Sequence, residues 1–274
     1  MLPPAVNFHL YKPCNARCRF CFATFREVNG HLGLDDARGV VAALREAGAE
    51  KLTFVGGEPT LHPHLGELLR HAKQLGLVTC VVTNGARFDT LLDRHAEDLD
   101  WVGLSVDSAD DATQALLGRG HDVPARALRH AERAHTLGVR VKLNTVVTSL
   151  TWREDMSDYV RRLAPARWKA LQVLPVGGQN DGLVDDLLID APRFDAFVLR
   201  HAHLATEGLA PVAEPNDAMR GSYAMVNPLG QFYGNATGRH VTSAPILEVG
   251  VEQALAEVGF VYEKLVARGG VYAW

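Results

Sequence analysis

Short β-branched runs alternate with helical periodicity along the first two thirds of this chain. That alternation restricts its fold more than any other feature. Residues 6–10, 51–55, 78–83, 101–106, 141–147 and 167–174 read as strands, being short, apolar and rich in Val, Leu and Phe. Between them, residues 34–47, 65–75, 124–137 and 154–163 carry helical spacing, with Gly48, Gly76 and Gly138 placed where helices stop. Strands separated by helices do not pair as hairpins, so six strand–helix beats predict a parallel sheet. At 274 residues and 47% hydrophobic content, one α/β barrel accounts for the chain. Six units leave such a barrel open, so the expected fold is a partial (βα)6 barrel. After Asn180 the pattern changes to Gly-, Pro- and Asn-rich turns, with helices expected near 192–204 and 251–265. Residues 1–180 are expected to form the barrel core and 181–274 a C-terminal extension covering its open side.

Three of the four cysteines stand together as Cys14-Asn15-Ala16-Arg17-Cys18-Arg19-Phe20-Cys21. Three thiolates cover only three corners of a cubane iron–sulfur cluster, whereas a purely electron-carrying cluster has every iron covered. One iron is left with open coordination sites, where substrate chemistry takes place. A structural zinc site is the competing reading, with His9 and His31 flanking the run, but neither lies at a CxxC-like interval from a second ligand. Disulfides suit small, cysteine-dense secreted chains, and this chain is neither. Cys80, alone in an apolar run, reads as a packed core thiol. The CxxxCxxC pattern resembles that of the radical SAM enzymes. The resemblance implies a 4Fe–4S cluster that binds S-adenosylmethionine (SAM) and cleaves it reductively to methionine and a 5′-deoxyadenosyl radical.

Bulk properties narrow the partners. A net charge of −4 offers no broad basic field for long nucleic acid, so a phosphorylated ligand would need local cations. There is no secretory pattern, no apolar run of about eighteen residues and no amphipathic helix before Val6. A cytoplasmic protein without membrane attachment is therefore expected, in keeping with free thiols and an oxygen-sensitive cluster.

The second strand ends in Val55-Gly56-Gly57-Glu58-Pro59. Glycines permit close backbone approach to a ligand, and an adjacent carboxylate can accept from an ammonium group. By itself a glycine pair is more often a turn. One unit after the cysteines, Gly56-Gly57-Glu58-Pro59 resembles the motif that holds the methionine amino group in radical SAM proteins. Ser105 ends the fourth strand as a further SAM contact. Arg119 is suited to bidentate capture of the methionine carboxylate, or is a solvated loop arginine. Asn84 is a ribose contact or an Asn-Gly turn residue.

Beyond these motifs the chain resembles the viperin-like radical SAM enzymes nearly from end to end. The match runs through Val6-Asn7-Phe8, Cys21-Phe22, Glu50-Lys51, Lys142-Leu143-Asn144, Arg167-Trp168-Lys169 and Gly178-Gln179-Asn180. It continues through Asn216, Met219, Ser222-Tyr223 and Val249-Gly250-Val251 to Arg268-Gly269-Gly270-Val271-Tyr272-Ala273-Trp274. This resemblance implies conversion of a ribonucleoside triphosphate (CTP, UTP or GTP) to its 3′-deoxy-3′,4′-didehydro form, an antiviral chain terminator. It also implies abstraction of the ribose 4′-hydrogen and loss of the 3′-hydroxyl as water.

A triphosphate demands converging cations. By resemblance these are Lys51, Lys142, Arg167, Lys169 and Arg268, with Asn7 and Asn144 as polar contacts. Arg167 and Lys169 alternate along one strand and are expected to point to one face. Taken singly, each of these cations reads as a solvated rim charge. Tyr223 is the candidate hydrogen or proton donor for the final radical, with a structural tyrosine as its competitor. The electron is expected from an external flavodoxin- or ferredoxin-like donor, and the chain is expected to be a monomer.

Two departures from the family pattern stand out. Phe22-Ala23-Thr24 replaces Phe-His-Thr, and Val55 replaces a serine, removing a possible hydroxyl contact to phosphate. Two other readings compete. A radical SAM maturase acting on peptide usually carries further C-terminal cysteines, and none follows Cys80. A non-enzymatic zinc-binding module is the other.

Overall fold

In the computed structural model, which describes Met1–Trp274 throughout, the strands join in one sheet that does not close on itself. Six strands follow one another in chain order: β1 (Ala5–His9), β2 (Lys51–Val55), β3 (Val78–Thr83), β4 (Trp101–Ser105), β5 (Arg140–Val147) and β6 (Arg167–Gln172). Every neighbouring pair is parallel. Helices α1 (Leu34–Glu46), α2 (Leu65–Gln74), α3 (Phe88–His95), α4 (Asp111–Leu116), α5 (Val123–Thr136) and α6 (Ser157–Leu163) carry the crossovers. This is the expected partial barrel.

Local chemistry sets the boundaries. Asp35 and Asp36 in the first turn of α1 suit the positive end of its dipole. Helices α1, α2 and α5 run out at Gly48, Gly76 and Gly138, all in the left-handed region that glycine tolerates. Helices α3 and α4 were not among the helices expected from the sequence pattern. The first packs Phe88, Leu91 and Leu92, a helical spacing compressed into two turns, and the second is capped by Asp110, which accepts from the Thr113 amide at 2.8 Å.

The helix expected over 154–163 begins only at Ser157. Glu154 is instead in a turn, where its carboxylate accepts from the Ala109 amide at 2.7 Å. The helix expected over 192–204 is α7 (Ala191–Arg200), followed by a 3-10 turn, Ala202–Glu207. The one expected over 251–265 is broken. After α8 (Asn216–Met219) and α9 (Ile246–Val249), α10 (Val251–Ala256) stops, Gly259 turns at φ +67°, and α11 (Tyr262–Ala267) starts afresh.

The C-terminal region adds strands on both sides of the parallel set. Strand β7 (Val212–Glu214) pairs with β6, and β8 (Met225–Val226) pairs with β1, both parallel. Strands β9 (Gln231–Gly234) and β10 (Val241–Pro245) then extend the β8 side antiparallel. No helix is long and apolar enough to cross a membrane.

Alternation along the strands divides core from cavity. Leu52 and Phe54, Val102 and Leu104, and Val141 and Leu143 face the helices and are buried in the main apolar cluster. Their neighbours Lys51, Thr53, Ser105, Lys142 and Asn144 face inward and line a cavity. The inner face is therefore polar, and cohesion comes from the outer layer. Leu143→Ala, at a fully buried position, is expected to cost about 2–5 kcal/mol in denaturant unfolding. Leu116→Ala, at an exposed position, should stay within about 0.5 kcal/mol of the parent chain.

Candidate active site

One cavity of about 810 Å³ runs through the barrel interior. Cys14, Cys18 and Cys21 line it beyond the carboxyl end of β1, while Lys51, at the amino end of β2, lines it at the other extreme. A five-residue strand spans roughly 16 Å, so the thiols and the deepest cation stand at opposite ends of a long chamber.

Four main-chain hydrogen bonds, two on each side, hold the cysteine loop. On one side, Gly57 N–H donates to the Tyr11 carbonyl and Glu58 N–H donates to that of Pro13 at 3.0 Å. A Cβ on Gly56 would come within 2.6 Å of the Tyr11 oxygen, and one on Gly57 would overlap the Lys12 and Pro13 carbonyls. These glycines are required by chain-to-chain contact before any ligand is considered. On the other side, Arg17 N–H donates to the Gly118 carbonyl at 2.9 Å and Arg19 N–H to that of Leu117 at 3.1 Å.

Glu58 is fully buried and internally engaged. One oxygen accepts from Thr60 N–H and from the hydroxyls of Thr60 and Thr83, and the other accepts from Asn84 N–H at 2.8 Å. Pro59 begins the following 3-10 turn, buried outside the cavity lining. Asn84 is both turn residue and neighbour of the thiols. Its Oδ1 accepts from Ala86 N–H, and its Nδ2 donates to Asn15 Oδ1 at 2.8 Å and lies 3.7 Å from Cys14 Sγ.

Arg119 is not a solvated loop residue. Its Nε donates to the fully buried Asp107 at 2.5 Å, and its guanidinium lies over the Phe20 ring at 5.3 Å, beside the cysteine loop. Burial pushes the Cys18 thiol up to about 11, with the Arg119 charge opposing that rise. No three His, Cys, Asp or Glu side chains are placed to close on a single ion, as tetrahedral zinc would need. All three thiols are free. Both ring nitrogens of buried His9, in the same wall, lack partners. A larger sulfur-bridged cofactor held at three corners fits this donor set better than zinc.

The far end is cationic. Lys51 donates to the Tyr272 hydroxyl at 2.9 Å and sits over the rings of Trp101, Tyr272 and Trp274 at 4.5, 4.8 and 5.4 Å. Lys142 is buried and takes part in no ion pair. Gly103 on β4 makes room for it: a Cβ there would lie 2.8 Å from Val82 and 3.3 Å from Lys142. Nearer the thiols, Asn7, Asn144 and its register partner Ser105 also line the cavity. Arg167 departs from the expectation. It does not line the cavity but turns to the C-terminal tail, donating to the Gly269 carbonyl at 2.7 Å and stacking 3.9 Å from the Tyr272 ring.

Lys169 and Arg268 converge on Glu214, which the sequence analysis missed. Glu214 Oε1 accepts from Lys169 at 2.5 Å and from Arg268 at 3.1 Å, while Oε2 accepts from the Tyr223 hydroxyl. Lys169 also reaches the Tyr223 oxygen at 3.2 Å, and Arg268 lies 3.7 Å from the Tyr223 ring. Burial works to raise the Glu214 carboxyl, but Lys169 and Arg268 outweigh it and hold it down at about 2. Burial and the nearby carboxylate push the Tyr223 phenol up, so it keeps its proton. Asp107, Gly103 and the tail aromatics were likewise missed. Asp107 lies two residues beyond Ser105 and the aromatics lie in the closing Arg268–Trp274 run, whereas Gly103 belongs to no motif.

The family described as Radical SAM superfamily matches residues 10–163. The S-adenosylmethionine-dependent nucleotide dehydratase of Flammeovirga pacifica is 42% identical, over 99% of this chain and 96% of its own. That of Lacinutrix mariniflava is also 42% identical over 99% of this chain, which spans only 59% of that relative's length. The S-adenosylmethionine-dependent nucleotide dehydratase RSAD2 of Siniperca chuatsi is 33% identical, over 100% of this chain and 80% of its own. Among solved structures, native anSMEcpe with bound AdoMet and Kp18Cys peptide superposes with a TM-score of 0.71 at 16% identity, covering 97% of this chain and 84% of that one. At that identity the likeness is one of fold.

Gly57→Ala tests the contact that holds the cysteine loop. With no space for a Cβ, the loop must shift, and iron bound after anaerobic reconstitution is expected to fall at least severalfold. Iron content equal to that of the parent chain would show that the contact is dispensable.

Proposed function

Since this chain belongs to the radical SAM superfamily and, within it, to the S-adenosylmethionine-dependent nucleotide dehydratases, we propose that its cavity dehydrates a ribonucleoside triphosphate. The observation that carries the reading is that one chamber joins a three-thiol loop to a buried set of cations. Cys14, Cys18 and Cys21 would hold a 4Fe–4S cluster, which with SAM bound would supply a 5′-deoxyadenosyl radical for abstraction of the ribose 4′-hydrogen.

The residues divide the remaining work. Gly56, Gly57 and Glu58 frame the methionine end of SAM, with Glu58 fixing Thr60, Thr83 and Asn84 through its own hydrogen bonds. Arg119, aligned by Asp107, faces the methionine carboxylate. Asn84 and Ser105 sit toward the SAM end, and Asn7 and Asn144 contact the nucleoside between the two ends. Lys51, Lys142, Lys169 and Arg268 receive the phosphates. Arg167 supports that group by anchoring the tail that carries Tyr272. Residues 181–274 thus act as the cover of the chamber, bringing Tyr223, Arg268 and Tyr272 to it.

After the 4′-hydrogen is removed, loss of the 3′-hydroxyl as water consumes one proton and one electron. Tyr223, at the cavity wall, is the proposed hydrogen or proton source. An external flavodoxin- or ferredoxin-like protein supplies the electron to a monomeric enzyme. The solved-structure likeness to an enzyme with a bound peptide raises peptide modification as a second reading. The 42% identity to a nucleotide dehydratase over nearly the whole of both chains, together with the cationic chamber, favours the nucleotide.

The reduced, reconstituted enzyme should form 5′-deoxyadenosine from SAM only when CTP, UTP or GTP is present, with a product lighter than that nucleotide by one water. Cleavage of SAM that ignores all three nucleotides would remove the reading. Lys142→Ala, which deletes the unpaired buried cation, is expected to weaken triphosphate binding by roughly tenfold or more while SAM binding holds. Calorimetric titration of each ligand checks this.

A further inference from the structure

Glu214 is the last residue of β7, at one edge of the sheet, and Tyr223 stands two residues ahead of β8 on the other side of the parallel set. The Glu214 side chain is fully buried, and it does not line the cavity, whereas Lys169, Arg268 and Tyr223 all do. All three meet its carboxylate. Arg268 is further tied to the segment of Tyr223, donating from Nε to the Ser222 hydroxyl at 2.8 Å and from a terminal nitrogen to the Ser222 carbonyl at 3.1 Å.

Resting on the nucleotide reading, we infer that Glu214 is a positioning residue that holds Lys169, Arg268 and Tyr223 as one unit on the cavity wall and keeps Lys169 in the cationic form that phosphate requires. An ammonium on a buried strand is unfavourable without an adjacent anion. Burial pulls the Lys169 ammonium below its ordinary value, and Glu214 opposes that pull. The other groups facing Lys169 are Arg268 after α11, which pulls the same way as burial, Tyr223, which keeps its proton, and Tyr272. At Tyr272 burial works upward, but Lys142 and Lys51 outweigh it and draw the phenol below its ordinary value, so that it supports the Lys169 charge as Glu214 does. Lys142 on the neighbouring strand shares the wall and adds a further positive charge. Glu214 is the one carboxylate within ion-pair distance of Lys169. The same carboxylate takes the Tyr223 proton as its hydrogen bond, so the phenol oxygen is left to accept from Lys169.

The test is nucleoside triphosphate affinity against pH in the full-length protein, with SAM affinity measured alongside. Between about pH 7.5 and about pH 9 the wild-type profile is expected to be flat, since a paired lysine stays charged there. In Glu214→Gln, affinity should fall at least tenfold across that window, with SAM affinity unchanged. Glu214→Asp, which keeps the charge, should restore the flat profile.

A flat profile in Glu214→Gln overturns the inference, whether its affinity is unchanged, uniformly lowered (a structural role only) or raised (a carboxylate that competes with phosphate). If Glu214→Gln loses SAM binding as well and so fails to fold, the wild-type protein decides the matter. The NMR signal of the Lys169 side chain, assigned by its loss in Lys169→Ala, should keep ammonium character through the window, and deprotonation there overturns the inference. A wild-type protein that binds no triphosphate counts against the proposed function instead, and the same NMR signal then decides whether Glu214 holds Lys169.

Discussion

A sheet of parallel strands that stops short of closure leaves two flanks to be joined by something other than a ladder. Here a buried carboxylate does this. Glu214 on β7 meets Tyr223 ahead of β8, and Arg268 from the far end of the chain ties to both the carboxylate and Ser222. Charges taken out of water are costly unless paired and hydrogen-bonded, and here Lys169 and Arg268 pair with the same carboxylate while Ser222 takes two further hydrogen bonds of Arg268. The wall it forms includes two of the cations proposed for phosphate. The geometry of the chamber therefore depends on a side chain that does not touch it.

The same economy of space appears on the inner face. A barrel with a polar interior needs its apolar contacts outside, and the strands provide them by alternation, with Leu143 and Val141 toward the helices and Lys142 and Asn144 inward. Gly103 leaves the volume that Lys142 and Asn144 occupy. The chamber extends the full length of the strands, so binding groups come from their amino ends as well as from the loops at their carboxyl ends, where barrel chemistry usually gathers. The C-terminal tail meets the amino end through Tyr272, held by Lys51 and Arg167.

At the opposite end, order comes from backbone contact. The cysteine loop is clasped between the Gly56–Glu58 turn and the Leu117–Gly118 segment by main-chain hydrogen bonds. Close approach forbids a side chain at Gly57 and Gly118. Glu58 and Asp107, both fully buried, then fix Asn84 and Arg119 beside the thiols. In each case a carboxylate out of solvent orients the residue that reaches the chamber, the same arrangement as at Glu214.

The linear chain determined the six parallel strands and most of their crossovers, because those segments carry strong apolar periodicity and end at glycines that tolerate left-handed backbone. It also determined the thiol triplet and the Gly-Gly-Glu turn, because both are contiguous motifs whose spacing carries the chemistry. It did not reveal α3 and α4, which are too short for their periodicity to stand out, or the break at Gly259. Nor did it show that Arg167 turns away from Lys169 toward the tail, since alternation places a side chain on a face but does not choose its partner. Glu214 was invisible for a related reason. A lone acidic residue before Pro215 has no pattern of its own, and its meaning comes from Lys169, Tyr223 and Arg268, which only the folded chain brings within hydrogen-bond distance.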